Sequence, residues 1–585
     1  MDPTGGGDRP LLRAVRYAGG WVPALAALAV AGAAAELLLP AALGLAVDAA
    51  LAGGGTWWPL AAAGLVAVVA ATDTLGALAG GHADARATAR LRHRLVRHLF
   101  ALDPRAAGRW PVGDLVGRLV AQAADAGQAG TAAVLGVAAL LPPIGGTVAL
   151  LLLEPLLGAV FLAGLALLGL LMRAFVADAS AAVAGYQRCL GSMAGRLLES
   201  LGGARSVAAA GTVAAERARV LDALPELHRH GLATWRALAR ATARNATVAP
   251  LLPVAVLAVG GWSVSAGWLT PGELFAATRY AALGAGLGAV LSTVNRLVRT
   301  RAGARRAAEV LAEPVRTYGS EPLPAGPGAV TLRGVTVYRD DATGPDAGPP
   351  ILDRIDLHLP AGASTAVVGA SGAGKSTLAA VAGRLRDPDA GEVLLDGVPL
   401  RRLDRAALRA AVGYGFERPV LVGDTVADAI GLGGARPALA EIRRAARAAA
   451  VDGVVERLPG RWHTPLAQAP MSGGEAQRIG LARALHARRL LVLDDATSSL
   501  DTVTERRITR ALAGPADGRT RLIVTHRAGT AAAADRVAWL DGGRLRAVGR
   551  HADLWADPAY RAVFQPPAEE RAAARSTAVP AGRSG

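Results

Sequence analysis

Apolar positions along this chain fall into two regimes. In the first half they run on for about 20 residues at a time, the length a helix needs to cross a hydrocarbon layer. Six such stretches stand out, at roughly Trp21–Val47, Trp57–Gly80, Thr131–Leu153, Pro155–Val176, Thr247–Trp268 and Leu274–Val294. Backbone groups in lipid must pair within their own segment, so all six are expected to be helices. From Ala329 the pattern shortens and alternates: Val330, Leu332, Val335 and Val337 form the apolar side of a strand. Between the regimes, the Pro/Gly-rich Tyr318–Gly328 reads as a linker. The tail beyond Gln565 is rich in Ala, Arg, Pro and Gly and reads as disordered. The two basic connections are long and helix-like, so the organisation expected is an N-terminal segment over 1–20, a transmembrane domain of six helices with long cytoplasmic extensions over 21–310, a linker over 311–328, a soluble domain over 329–565 and a tail over 566–585.

Charge orients the spans. Arg9, Arg13 and Arg16 precede the first span, and Arg86, Arg90, Arg92, Arg94 and Arg97 follow the second. Arg188, Arg196, Arg205, Arg217 and Arg219 lie between the fourth and fifth, and Arg296, Arg299, Arg301, Arg305 and Arg306 follow the sixth. The other three connections carry no lysine or arginine. Basic residues mark the cytoplasmic side, so both termini and the soluble domain are expected there, in a multi-pass protein of the cell membrane. Trp57, Trp58, Trp262 and Trp268 sit at span ends, where indoles favour the interface. The net charge of +16 is assigned to these flanks and not to nucleic acid, for which no recognised module is present. Cys189 is the only cysteine, which excludes an intrachain disulfide. The first 20 residues lack the pattern of a cleavable signal, and no peptidase-like extension precedes the first span.

Thr365–Gly369 reads as a buried strand running into Gly369, Ala370, Ser371, Gly372, Ala373, Gly374, Lys375 and Ser376, the pattern G-x-x-x-x-G-K-S. Its glycines let backbone N–H groups close around phosphates, and the following helix adds the positive end of its dipole. Lys375 is the only lysine in the chain. A compact point charge was kept at the one position where the planar fork of arginine would not fit. Ser376 is the expected Mg²⁺ ligand. Leu490–Asp495 is an apolar strand ending in two carboxylates: Asp494 is expected to complete the metal site, and Asp495 sits where a base would polarise attacking water. Ser472, Gly473, Gly474 and Glu475 open a helix and offer a second anion site.

The order of these motifs resembles the ABC transporter family over about Trp21 to Gln565. The phosphate loop, Met471–Glu475, Leu490–Asp495, Ser498–Asp501 and Thr525–His526 match that family's Walker A, signature, Walker B, D-loop and switch histidine. The resemblance implies an all-α transmembrane domain of six helices followed by an α/β P-loop nucleotide-binding domain. It implies ATP and Mg²⁺ as cofactors, with Tyr338 stacking on adenine and Thr377 in the phosphate loop's first helical turn. The signature Ser472–Glu475 and the D-loop Asp501 would close over ATP held by a second half-transporter. Leu102–Asp125 and Glu199–Glu216 look like coupling regions between membrane and soluble domains.

Three positions depart from the family pattern. Asp495 stands where glutamate is usual, Glu417 where the Q-loop has glutamine, and Glu475 where the signature ends in glutamine. Aspartate is one methylene shorter, and a base must come within hydrogen-bond reach to act. The pattern resembles the degenerate-site subunit of heterodimeric exporters, in which Asp495, His526 and Glu417 would form a slow site. A homodimer with a weaker base, a regulatory half whose own site never turns over, and an uptake system on the exporter fold stay open. So does the substrate, whether small molecule, lipid or peptide. Glu36, Asp73 and Arg279 lie within expected spans, where charge usually faces a cavity or a partner.

Overall fold

The structure is a computed structural model that describes residues 17, 19–248, 250–285, 287–339, 348–433, 437–513 and 518–564. The basic positions before the first span and the tail expected to be disordered lie outside the described residues. The chain divides into two units, one of residues 1–100 and 111–313, the other of residues 101–110 and 314–585.

The first unit is helical. Its main elements are α1 (Trp21–Leu51), α2 (Trp57–Leu99), α3 (Ala129–Ala138), α4 (Leu141–Leu153), α5 (Pro155–Gly202), α6 (Leu224–Val248), α7 (Leu251–Ser265), α8 (Pro271–Gly284) and α9 (Leu287–Ala312). Among the described residues, three stretches are long and apolar enough to cross a membrane: Trp21–Leu51, Trp57–Leu99 and Val112–Leu153. Leu251–Ser265 is a shorter apolar helix, and α5 opens with the apolar run Pro155–Leu167. The expected sixth span, Leu274–Val294, is divided between α8 and α9, and residue 286 within it is not described. The expected third span is also divided, between α3 and α4. Pro142 and Pro143 occupy the first turn of α4, where their missing N–H groups cost nothing but end the preceding ladder. Conversely, α2 and α5 continue for 43 and 48 residues, well past the apolar stretches that begin them.

Small residues let these helices approach closely, as packing between membrane helices requires. A Cβ added at Gly44 of α1 would lie 2.5 Å from the Gly272 carbonyl oxygen of α8. Beside this crossing, Asp48 accepts from the Thr270 hydroxyl at 2.6 Å and the Gly272 N–H at 2.7 Å. Leu150, Leu157, Phe161, Val256 and Tyr280 form a buried core among α4, α5, α7 and α8. Outward side chains such as Val30, Leu38, Val66 and Leu78 are exposed.

The second unit holds two sheets. An antiparallel sheet of order β2-β1-β4-β5 is built from β1 (Val330–Val337), β2 (Leu352–Leu359), β4 (Ala390–Leu395) and β5 (Val398–Pro399). The other has order β10-β9-β3-β8-β7-β6, from β3 (Ser364–Val368), β6 (Val412–Phe416), β7 (Leu490–Asp494), β8 (Thr520–Val524), β9 (Arg536–Asp541) and β10 (Arg544–Gly549). Its strands pair in parallel except β9 with β10. Both faces are covered, so β3 and β7 are nearly continuous apolar runs. Helices α10 (Lys375–Ala382), α11 (Gly473–Ala484) and α12 (Thr502–Ala513) connect or cover these strands.

Residues 314–328, expected as a linker, pack on this unit. Tyr318 and Leu323 rest on the core formed by β1, β2 and α10. Arg316 binds Asp103 of the segment 101–110, 213 residues away in sequence. At the β4–β5 turn, Asp396 and Gly397 take φ of 50° and 81°, the primed geometry that suits a two-residue hairpin. Asp396 accepts from the N–H groups of Gly328 and Ala329 at 2.8 and 2.9 Å and pairs with Arg489 at 2.7 Å. Its side chain is only 6% exposed. Breaking a buried pair by removing one partner costs about 3–5 kcal/mol. Asp396→Ala is therefore expected to lower the thermal unfolding midpoint of this unit sharply, and Asp396→Asn to lower it less, as read by scanning calorimetry.

Candidate functional site

The phosphate-binding pattern forms the turn between β3 and α10. Every residue of β3 is buried, which fixes the height at which the chain leaves the sheet. The turn then needs glycine. Gly372 and Gly374 take φ of 80° and 95°, and a Cβ at Gly374 would also come within 2.8 Å of Leu352. Lys375 is half-buried, and its Nζ donates to the carbonyls of Gly369 and Ala370, each at 2.9 Å. Burial lowers its pKa, against the pull of Asp495 and Asp494. Ser376 and Thr377 follow in the first turn of α10, with Ala373 buried beneath and Ala370 and Ser371 exposed.

Strand β7 delivers the carboxylates. Asp494 accepts from the Ser376 hydroxyl at 3.0 Å. Burial raises the Asp494 pKa; the Ser376 hydrogen bond opposes this, and neighbouring Asp495 and Glu417 add to it. Asp495 takes φ of 47°, a left-handed conformation that a short polar side chain tolerates better than a long or branched one. Its Oδ1 lies 3.0 Å from Nδ1 of His526, which leaves the sheet just beyond β8. Glu417, exposed at the end of β6, belongs to the same charged group.

The signature residues form a separate cluster. Ser472 caps α11 in a capping box: its hydroxyl accepts from the Glu475 N–H at 3.3 Å, and the Glu475 carboxylate accepts from the Ser472 N–H at 2.8 Å. Glu475 thus has a structural task that a carboxylate performs well, and the Ser472 N–H lowers its pKa. Gly473 opens the helix, and Gly474 lies against the Ser499 carbonyl, where a Cβ would come to 3.2 Å. Asp501 accepts from Thr504 N–H at 2.9 Å at the start of α12. Tyr338 lies just beyond β1, half-buried. No hydrogen bond among the described residues joins Ser472–Glu475, Asp501 or Tyr338 to the Lys375, Ser376 and Asp494 group of the same chain.

One residue that motif reading passed over ties these groups together. Gln477, 1% exposed, donates to the carbonyls of Glu417 and Asp495 at 3.0 and 3.2 Å and to the Ser498 hydroxyl at 3.2 Å. It accepts from Ser499 N–H at 3.1 Å. The available signal was helical spacing: Gln477 shares a face with Gly480, Leu481 and Ala484, all buried. Arg527, beside the histidine, donates to Ser498 O at 2.8 Å and pairs with Glu505.

Known proteins resemble this chain over both of its units. Residues 352–498 match the model of the ABC transporter family's ATP-binding domain, and 22–284 match the ABC transporter transmembrane region. The ABC transporter ATP-binding protein RamA of Streptomyces coelicolor is 47% identical over 539 residues, 92% of this chain and 84% of that protein. The chain belongs to the ABC transporter family. An ATP-dependent lipid A-core flippase of Chromobacterium violaceum is 33% identical over 63% of each chain. The solved structure of a bacterial Atm1-family ABC exporter with ATP bound superposes with a TM-score of 0.76 at 26% identity, covering 96% of this chain and 99% of that one. This ABC transporter therefore has the exporter-type fold, a helical transmembrane domain fused ahead of an α/β nucleotide-binding domain.

The residues present fit the groups that such a domain implies. A hydroxyl and a carboxylate 3.0 Å apart are hard oxygen donors of the kind Mg²⁺ takes. The raised pKa of Asp494 also means that its charge opposes folding in the absence of a cation. Asp494→Asn should therefore raise the melting temperature of the nucleotide-free protein, by about 2–4 °C per kcal/mol relieved. The gain should be full above the raised native pKa and vanish below ordinary carboxylate values, where the aspartate is protonated in folded and unfolded states alike. The same variant should lose Mg²⁺-dependent ATP binding. Parallel melting and binding curves test both.

Proposed function

We propose that this chain is one half of an ATP-driven exporter that binds ATP and Mg²⁺ at a dimer interface and couples them to movement of a substrate across the membrane. Gly369–Ser376 and Thr377 would cradle the phosphates, Lys375 reaching the outer ones, with Tyr338 stacked on adenine. Bound Mg²⁺, held by Ser376 and Asp494, would neutralise charge on the transferred phosphoryl group. Both termini and the nucleotide-binding domain would be cytoplasmic, as the arginine-rich flanks suggest. Names among the relatives, such as lipid A-core flippase and multidrug efflux protein, favour an amphipathic cargo.

The observation that carries the catalytic reading is Asp495. Its single methylene leaves the carboxylate paired with His526 at 3.0 Å, on a backbone already in the left-handed region. One methylene shorter than the usual glutamate, it would hold water attacking a phosphate less well. Glu417 adds negative charge where a neutral amide is usual, close enough to affect Asp494. We therefore read this site as one that grips nucleotide and turns it over slowly. Ser472–Glu475 and Asp501 would complete the faster site of a different partner subunit, in a heterodimer. The intact Asp495–His526 pair favours one other reading, a weaker but working base in a homodimer.

The purified chain alone is expected to bind ATP and hydrolyse it slowly. Asp495→Glu should raise its own turnover by about 10- to 100-fold, within the range a positioned base supplies. Lys375→Ala should abolish binding in either background. Vigorous ATP turnover by the unaltered chain alone would sink the slow-site reading in favour of the homodimer.

A further inference from the structure

Residues 101–110 group with the nucleotide-binding unit, although the chain on both sides of them belongs to the helical unit. Three ties hold them. Leu102 bridges Val315, and Arg316 N–H donates to Ala101 O at 3.1 Å. Asp103 accepts from Arg316 Nε at 3.0 Å, and the Arg316 guanidinium also donates to the carbonyls of Arg384 and Leu385 at 2.8 and 2.6 Å. Asp103 then caps the short helix Pro104–Gly108 through Arg105 N–H at 3.0 Å. This seats Arg105 beside the turn that follows α10, with its Nη1 3.7 Å from Asp389 Oδ1.

The same turn holds Tyr338 from two sides. Asp389 Oδ2 accepts the Tyr338 N–H at 2.8 Å, and Arg386 donates to the Tyr338 carbonyl. Asp389 N–H in turn donates to Thr336 O at 2.9 Å, at the end of β1. One carboxylate therefore spans from Arg105 to the backbone of the aromatic residue, one oxygen to each.

We propose that Arg105 and Asp389 are positioning residues for the adenine end of the nucleotide: through Tyr338 they set how firmly ATP is held, and ATP in turn tightens the seating of residues 101–110. The inference rests on the reading that Tyr338 stacks on adenine. The reverse effect follows from thermodynamic reciprocity, since a contact that strengthens nucleotide binding must itself be strengthened by it.

The test uses the full-length chain in lipid nanodiscs, with two Mg²⁺-loaded ligands, ATP and inorganic tripolyphosphate, which has the phosphates but no base. Arg105→Glu turns an attraction into a repulsion at a half-exposed pair, so ATP affinity should fall about three- to fivefold. Tripolyphosphate affinity should be unchanged, and Arg105→Lys should behave like the unaltered protein. Amide exchange over residues 101–110 should slow on adding ATP and not on adding tripolyphosphate. Unchanged ATP affinity in Arg105→Glu, equal loss of both ligands, or equal protection by both would overturn the proposal. Tyr338→Ala separates the two levels. If it leaves ATP affinity unchanged, the stacking reading falls and the inference with it. If it weakens ATP while Arg105→Glu does not, only the inference falls.

Discussion

Three parallel strands, β3, β8 and β7, lie side by side with β8 in the middle, and their register decides where Lys375, Asp494, Asp495 and His526 can be. Val524 at the end of β8 pairs with Val367 on one side and Asp494 on the other. The strands therefore end at one level. The chain leaves β3 into the phosphate loop, β7 into Asp495 and β8 into His526, all along the same edge of the sheet. This is the edge where open α/β sheets place ligands, beyond the carboxyl ends of their strands. A slip of one residue in β7 would turn Asp494 to the opposite face and remove it from Ser376.

That convergence has an electrostatic consequence. Asp494, Asp495 and Glu417 bring like charges together with Lys375 as the nearby cation, and burial acts against both signs, raising the pKa of Asp494 and lowering that of Lys375. A bound phosphate–cation ligand would supply charges of the opposite sign to each. The capping box of Ser472 and Glu475 follows another logic. There the carboxylate is satisfied by backbone at a helix start, so its replacement of glutamine is mild for the fold.

The sequence disclosed those parts whose chemistry demands particular residue types at fixed spacing. The phosphate loop, the strand ending at Asp494 and Asp495, and the division into an apolar and an alternating half could all be read from residues alone. Other parts act through the backbone and leave no such trace. Gln477 and Asp389 work by holding carbonyls and N–H groups of distant segments, and any polar side chain looks alike until the fold brings those segments near. Helical extensions beyond the spans were legible, but their exact ends and the break inside one apolar run were hidden. Hydropathy marks where lipid would lie, but α2 and α5 run on through polar sequence because nothing in it breaks a helix, while paired prolines divide α3 from α4 inside an apolar run.

The discontinuity of the nucleotide-binding unit bears on how the chain is made. Residues 101–110 are synthesised about 200 residues before Arg316, the side chain that Asp103 binds. Loop-closure entropy rises only slowly with such separation, but pairings this distant in sequence form late. The early segment must stay accessible while the intervening helices are inserted, and its seat exists only once the C-terminal half has folded. Completion of the fold is thus a quality check on the entire chain. A product truncated before the nucleotide-binding domain would display Leu102 without its Val315 bridge and Asp103 without Arg316, a mark of incomplete synthesis that the finished chain conceals.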